Sequence, residues 1–109
     1  MRPLGIPAYE DRLVQGAMAD ILNQVYEPRF LDCSMGFRPN RSAHDTVAYI
    51  NQVIMCRKVN YVLEADIRGF FDNVDHEWLM KMLSHDIAAR RFLEIIEKFL
   101  KAGIMEDGK

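Results

Sequence analysis

The order of hydrophobic and polar residues predicts four helices, and the first two enclose a loop. Apolar side chains recur at spacings of one, three and four between Leu13 and Val25, which indicates an amphipathic helix of about 16 residues. Pro28 follows as a stop signal. The loop over residues 29–41 mixes glycine, proline and aromatic residues, and Ser42 is a favourable N-cap for the second helix.

The second half of the chain predicts two more helices and part of a hairpin. Asp75 can cap a third helix through its carboxylate. A fourth helix is expected near residues 87–102, with Gly103 at its end. Residues 104–109 contain an Asp-Gly pair and resemble one strand of a hairpin with its turn, so the second strand would lie beyond Lys109.

Residues 61–67 have the alternating pattern of a β-strand. Tyr61 and Leu63 would lie on one face of this strand, and Glu64 and Asp66 on the other. Together with the four helices, this strand and the C-terminal half-hairpin predict an α+β fold. We expect a helix-rich chain with a small, incomplete antiparallel sheet.

The composition is that of a globular domain, and it constrains the partners only weakly. Half of the 109 residues are hydrophobic, yet no apolar run exceeds four residues, so no membrane partner is expected. The net charge of −2 argues against a nucleic-acid partner, because such proteins usually carry a basic excess. Cys33 and Cys56 lack further metal ligands at a suitable spacing, and two reduced cysteines are typical of a cytoplasmic protein.

Asp66 is the strongest candidate for chemistry. An ionised carboxylate at the end of an apolar strand is costly in a core unless it is paired or bound to a metal. At that position it can direct a hard oxygen ligand towards Mg²⁺, as phosphoryl transfer requires. The alternative is that Asp66 faces water on a half-exposed sheet. Glu64 could share a metal with it or pair with a cation.

Two further groups of residues admit both a functional and a structural interpretation. Phe70 and Phe71 are either core anchors or rings placed beside a sugar or base, with Gly69 allowing a phosphate to approach the backbone amides. Arg38 and Arg41 lie ahead of a helix start, where two guanidinium groups could bind phosphate. Arginines that are merely solvated give the same pattern.

Three blocks of the sequence together resemble the reverse transcriptase domain of group II intron-encoded proteins. RPLGIP at 2–7, followed by EDRLVQGA at 10–17, is similar to the fingers segment of that family and the helix after it. GFRPNRSAHD at 36–45 is similar to its second conserved block, and ADIRGFFDNVDH at 65–76 to polymerase motif A. The end, KAGIMEDGK, resembles the stretch before the TPQGG block. The resemblance covers essentially the whole chain.

The resemblance implies roles for five residues at the reacting centre. Asp66 matches the motif A aspartate that binds both catalytic Mg²⁺ ions, and the Ile67 carbonyl would be a further ligand. The amides of Gly69 and Phe70 would lie against the incoming triphosphate. Phe71 matches the aromatic residue that blocks a ribose 2′-hydroxyl and so selects deoxynucleotides.

The resemblance also implies contacts outside motif A. Arg2 matches the fingers arginine that contacts the triphosphate, and Leu4 and Ile6 would pack near the templating base pair. Arg38 and Arg41 would contact the template or support the structure around it. The implied partners are an RNA template, the intron RNA, a DNA primer and deoxynucleotides.

Several parts of the family pattern have no match in this sequence. They are the YxDD hairpin with the second catalytic carboxylates, the glutamine-bearing motif B, the upstream fingers lysine, the thumb and the maturase region. With Asp66 alone, Mg²⁺ is expected to bind weakly or not at all, because this ion keeps its waters unless several oxygens converge. Residues 1–109 are therefore expected to be a partial domain, ending just before motif B and inactive alone.

Two classes of function stay open at this stage. The first is part of an RNA-directed DNA polymerase that also helps its intron RNA to splice, and the alternative is a non-catalytic RNA-binding or scaffold remnant of a mobile element. An aspartate-based phosphohydrolase is disfavoured, because Arg68 stands where a second aspartate is expected. The open strand edge and the apolar helix faces also predict self-association.

Overall fold

A computed structural model describes residues 5–102, and four helices account for more than half of them. The helices are α1 (Tyr9–Tyr26), α2 (Ala43–Cys56), α3 (His76–Asp86) and α4 (Arg90–Lys101). Short 3₁₀ turns lie at Glu27–Arg29 and Phe71–Asn73. All four predicted helices are therefore confirmed. The predicted end of the last helix at Gly103 and the half-hairpin at 104–109 lie outside the described residues.

Two helices begin where the sequence predicts a capping side chain. The Ser42 hydroxyl accepts a hydrogen bond from the Asp45 amide at 3.2 Å, and the Asp45 carboxylate accepts one from the Ser42 amide at 2.8 Å. This reciprocal pair is a capping box, which satisfies two backbone donors at the start of α2. The Asp75 carboxylate accepts from the Trp78 amide at 3.0 Å at the start of α3.

The predicted antiparallel sheet is wrong for the part of the chain that the structure describes. No strand occurs between residues 5 and 102, and residues 58–67 adopt neither helix nor strand. On one face of the expected strand Tyr61 is 94% exposed and Leu63 is 93% exposed, and on the other face Val62 is 80% exposed, so neither face of this segment is covered. A strand forms only when a neighbour takes up its backbone donors and acceptors, and alternation alone supplies no neighbour. The described fold is all-helical rather than α+β.

The described residues divide into two units, with the boundary between Leu63 and Glu64. In the first unit, Met18 of α1 is buried, at 8% exposure. In the second, α3 and α4 contact each other, and Ile96 of α4 is 9% exposed. These two are the only buried hydrophobic residues of the described chain, so each unit has a small core. None of the described helices combines the length and apolar character needed to cross a bilayer.

Candidate functional site

Arg38 holds together the loop between α1 and α2. Its Nη2 donates to Glu27 Oε1 at 2.8 Å, and its Nε lies 3.2 and 3.3 Å from the two oxygens of the same carboxylate. Its Nη1 donates to the backbone carbonyls of Leu31 at 2.8 Å and Ser34 at 2.7 Å. One guanidinium group therefore joins three points of the chain, and we call residues 27–38 held in this way the Arg38 clamp.

The surroundings of Arg38 favour its charged form. The Arg38 side chain is only 6% exposed, and its guanidinium carbon lies 5.5 Å from the centre of the Phe30 ring. Hydrogen bonding to Glu27 raises the pKa of Arg38 above its ordinary value, and the charge of Asp32 acts in the same direction. Such forked contacts to a carboxylate are specific to arginine and restrict the loop to one arrangement.

Arg41 lies in the same loop but has weaker contacts. Its Nη1 is 3.3 Å from the Asp32 carbonyl and 3.6 Å from Met35 Sδ, and its Nη2 is 3.6 Å from Asp32 Oδ1. The Asp32 side chain is 95% exposed, so this ion pair is open to water. An exposed pair of this length adds little stability. Arg41 is thus the more accessible of the two predicted phosphate-binding arginines.

The loop also carries two non-glycine residues with positive φ. Phe37 has a φ of 54° and Asn40 a φ of 60°. Asparagine tolerates this left-handed conformation better than most residues, whereas a phenylalanine there is uncommon. The Phe37 ring is fully exposed, so its own packing does not explain the conformation. The neighbouring Arg38 is held by Glu27, Leu31 and Ser34, so the backbone next to Phe37 is restrained by contacts within the chain.

Asp66 and Ile67 lie in the segment without regular structure. Both side chains are exposed. Among residues 5–102, no three His, Cys, Asp or Glu side chains come together in a way that could hold a metal ion. The described residues therefore do not form a complete Mg²⁺ site, because that ion needs several converging oxygens.

A tight turn follows Asp66. Gly69 has a φ of 59°, and its carbonyl accepts hydrogen bonds from the Asn73 amide at 3.1 Å and the Asn73 side chain at 2.7 Å. Phe70 and Phe71 pack edge to face, with ring centres 5.3 Å apart. Both rings are otherwise exposed. The glycine is required by this turn, because a left-handed φ is costly for residues with a Cβ.

The predicted site residues fall into two groups that belong to different units. Arg38 and Arg41 share the loop of the first unit. Ile6 belongs to the same unit and lies exposed ahead of α1. Asp66, Ile67 and the turn of residues 69–71 belong to the second unit. Arg2 and Leu4 lie outside the described residues. The binding roles assigned to all of these residues stay predictions.

Sequence reasoning did not identify the partners of Arg38. Glu27 is eleven residues away from Arg38, beyond a proline, and Phe30 offers only an isolated aromatic ring. A single sequence carries no signal that pairs these residues. The position of Glu27 next to the Pro28 stop signal indicates only the end of a helix.

Comparison with known proteins gives a consistent result along the entire chain. Residues 1–109 match the reverse transcriptase (RNA-dependent DNA polymerase) family. The chain is 43% identical over 107 residues to the group II intron-encoded protein LtrA of Lactococcus lactis subsp. cremoris. It is 39% identical over 111 residues to protein YkfC of Escherichia coli K12, and 31% identical over 97 residues to nuclear intron maturase 1 (mitochondrial) of Arabidopsis thaliana.

These relatives are much longer than the matched region. The alignments cover 98%, 99% and 87% of this chain, but only 18%, 29% and 13% of the Lactococcus, Escherichia and Arabidopsis proteins. The chain therefore spans less than a third of the length of these curated relatives. No solved structure matches it.

Proposed function

This chain belongs to the reverse transcriptase (RNA-dependent DNA polymerase) family, of the type encoded by group II introns, and on that premise we propose that it supplies the fingers and the first part of the palm of an RNA-directed DNA polymerase. The observation that carries the proposal is the match over residues 1–109. Maturase activity on an intron RNA belongs to the same proposal, which the named maturase among the relatives supports.

Asp66 is the residue that we propose as a metal ligand, with the Ile67 carbonyl beside it. The exposed carboxylate is available to an ion, and it precedes a turn fixed by Gly69. The described residues alone do not complete a Mg²⁺ site. The remaining ligands of a working site would therefore have to come from outside residues 5–102, in keeping with a chain that covers 18% of the Lactococcus relative.

The turn after Asp66 is the proposed nucleotide site. We assign the amides of Gly69 and Phe70 to the triphosphate and the Phe71 ring to discrimination against a ribose 2′-hydroxyl. The turn is fixed by two hydrogen bonds to the Gly69 carbonyl, so its amides have a defined direction without a ligand. The triphosphate contact of Arg2 is part of the same proposal.

The loop of the first unit and the residues ahead of α1 are the proposed template contact. Ile6 and Leu4 would pack near the templating base pair, and Arg41 would bind the template backbone through its accessible guanidinium group. Arg38 would serve the template through the loop that it holds, because its donors already bind Glu27, Leu31 and Ser34.

Residues 1–109 alone are expected to be inactive as a polymerase. The test is primer extension on an RNA template with Mg²⁺ and deoxynucleotides, comparing this polypeptide with the complete open reading frame that contains it. The proposal expects DNA synthesis from the complete reading frame and none from residues 1–109. The proposal is contradicted if the protein encoded by the complete reading frame is obtained intact but synthesises no DNA. It is also contradicted if residues 1–109 synthesise DNA by themselves.

Self-association of the 109 residues is a further expectation of the proposal. Many large apolar side chains of the described residues are exposed, and only Met18 and Ile96 are buried. Exposed apolar surface on this scale favours association. Light scattering should report particles heavier than the 12.7 kDa monomer at high concentration. A constant monomer mass at every concentration would rule this out.

The alternative is a non-catalytic RNA-binding or scaffold role. Such a role requires no metal site, and among residues 5–102 no group of three or more His, Cys, Asp or Glu side chains could hold a metal ion. Under this alternative, substituting Asp66 would leave RNA binding and any splicing effect unchanged. Under the polymerase proposal, the same substitution strongly reduces DNA synthesis by the complete reading frame.

A further inference from the structure

A groove lies between the loop of residues 30–42 and α2, and no role has been assigned to most of its lining. Its volume is about 400 Å³, which is within the range of small-ligand sites. Its polar and aromatic lining consists of Asn40 and Arg41 from the loop and Asp45, Tyr49 and Gln52 from α2. The groove thus combines a guanidinium group, an aromatic ring, two side-chain amides and one carboxylate.

We propose that this groove binds one nucleotide unit of a single-stranded RNA, with Arg41 on its phosphate and Tyr49 against its base. Asn40 and Gln52 would hydrogen-bond the edge of that base. The inference rests on the proposed function, since an RNA template or intron RNA is the strand that such a protein would meet. It extends that function to three residues, Asn40, Tyr49 and Gln52, that neither the sequence nor the comparisons single out.

Arg41 has hydrogen-bonding capacity to offer a phosphate. Its contacts to Asp32 are 3.3 Å and 3.6 Å long, and the Asp32 side chain is almost entirely in water. A phosphate can take two parallel N–H donors of a guanidinium group at shorter distances. Binding would therefore replace a weak exposed ion pair with a stronger one.

Tyr49, Asn40 and Gln52 supply what a base requires. Tyr49 is 38% exposed, so part of its ring is accessible from the groove. Stacking on an aromatic ring is a principal way in which proteins hold unpaired bases. Side-chain amides carry both a donor and an acceptor and can therefore pair with a base edge. The backbone of Asn40 is in the left-handed region, with a φ of 60°, and this conformation sets the direction in which its side chain leaves the backbone.

Two neighbouring features shape what the groove can accept. The Arg38 clamp holds the loop side of the groove before any ligand arrives, because its partners Glu27, Leu31 and Ser34 all belong to this chain. Asp45 brings a carboxylate into the lining, and the Ser42 hydroxyl and amide hold the pKa of that carboxyl below its ordinary value. An ionised Asp45 repels additional phosphates, so a single phosphate is favoured over a triphosphate.

The test measures binding of the 109-residue chain to a fluorescein-labelled single-stranded RNA of ten nucleotides by anisotropy, at several salt concentrations. Replacing Tyr49 by leucine should weaken binding about tenfold and leave the salt dependence unchanged, since stacking carries no charge. Replacing Arg41 by glutamine should weaken binding and lower the slope of log affinity against log salt by about 0.7, the loss of one phosphate contact. Arg41→Lys should keep the slope.

Arg12→Gln is the matched control, because it removes one positive charge from the exposed surface of α1. It should change affinity by less than about twofold. Far-UV circular dichroism of each variant checks that the helices persist. Adenosine monophosphate is the second probe, and weak competition with the RNA supports a strand as the ligand. Binding of this nucleotide as tight as that of the RNA, lost in the Tyr49 and Arg41 variants, would instead show a free-nucleotide site and overturn the proposal of a strand.

Three further results would overturn the proposal. The first is unchanged RNA affinity in both Tyr49→Leu and Arg41→Gln, and the second is an equal loss in Arg12→Gln. The third is no RNA binding by the unsubstituted chain. Each is separate from the polymerase proposal, which is tested by primer extension with the complete reading frame. A polymerase-active reading frame together with unchanged RNA binding in both Tyr49→Leu and Arg41→Gln would refute the groove proposal alone.

Discussion

The loop of residues 30–42 and the segment of residues 58–67 both lack regular structure, but only the loop is held by its own chain. In the loop, Arg38 joins a carboxylate and two backbone carbonyls. In the segment, Tyr61 and Leu63 are almost completely exposed. The difference follows from sequence distance. The partners of Arg38 lie within eleven residues of it, so closing the loop costs little entropy, whereas a strand needs a neighbour from elsewhere.

The proposed RNA-binding groove is thus already formed by the described residues, whereas the metal site proposed around Asp66 is not. The groove beside Arg41 is formed by a loop and a helix of one unit. Asp66, in contrast, belongs to no group of three or more His, Cys, Asp or Glu side chains that could hold a metal ion among the described residues. We therefore expect that RNA contacts can be tested on this chain and that metal chemistry requires the rest of a polymerase.

The largest expected effect concerns Asp66 and catalysis. In the complete open reading frame, Asp66→Asn should reduce Mg²⁺-dependent primer extension roughly 10³-fold, because losing a ligand that stabilises transition-state charge costs several kcal/mol, at about tenfold per 1.4 kcal/mol. Asp72→Asn is the matched control, since Asp72 is an exposed carboxylate in the 3₁₀ turn. Equal losses in both variants would contradict a special role for Asp66.

The next effect concerns the turn that follows Asp66. A Cβ on Gly69 would impose the cost of a left-handed φ, about 1–2 kcal/mol, and would meet the Asn73 side-chain nitrogen at 3.0 Å. Gly69→Ala should therefore speed hydrogen exchange of the Asn73 amide about five- to thirtyfold. Gly36→Ala is the control, because a Cβ there meets no atom within 4 Å. An unchanged Asn73 amide in Gly69→Ala would show that the turn does not depend on glycine.

A smaller effect is expected when the Arg38 clamp is weakened while its charge is kept. Arg38→Lys retains a cation, but an ammonium group cannot bridge one carboxylate and two carbonyls in the same planar arrangement. Chymotrypsin should then cleave next to the exposed Phe37 several-fold faster than in the unsubstituted chain. Arg12→Lys on α1 should leave cleavage unchanged. Unaltered cleavage in Arg38→Lys would indicate that the loop is held by other contacts.

The smallest effect is a pH dependence at the start of α2. Hydrogen bonds from Ser42 lower the pKa of Asp45 below its ordinary value of 3.8, so the folded state favours the ionised carboxylate. Its contribution is present above pH 3.8 and is lost as the pH falls through the lowered value. Circular dichroism should show that the unsubstituted chain has less helix at acidic pH than at neutral pH. Asp45→Asn should lack this component, and identical acid profiles of the two proteins would refute it.

The helices could be predicted because their signals are local. The apolar spacing from Leu13 to Val25, the Pro28 stop and the capping side chains Ser42 and Asp75 all act within a few residues, and each is confirmed. The sequence predicts that α4 begins near residue 87, whereas it begins at Arg90, because Ala88 and Ala89 are compatible with a helix but are not in it.

The sheet and the Arg38 clamp could not be predicted, for the same physical reason. Alternation at residues 61–67 shows only which faces a strand would have and says nothing about a partner for it. The pairing of Arg38 with Glu27 depends on how the chain turns between them, which no periodicity encodes. Within the candidate site, the sequence could single out Asp66, Gly69 and Arg41 as candidate functional residues, but it could not predict which side chains surround them.

Amide hydrogen exchange of the 109-residue chain, followed residue by residue by NMR, tests the central contrast most directly. The Ser34 amide bonds to the Leu31 carbonyl at 2.9 Å inside the clamp, so we expect it to exchange slowly. The amides of residues 59–67 should exchange at nearly the rate of an unstructured peptide. Protection of residues 59–67 comparable to that of Ser34, or no protection of Ser34, would contradict the account.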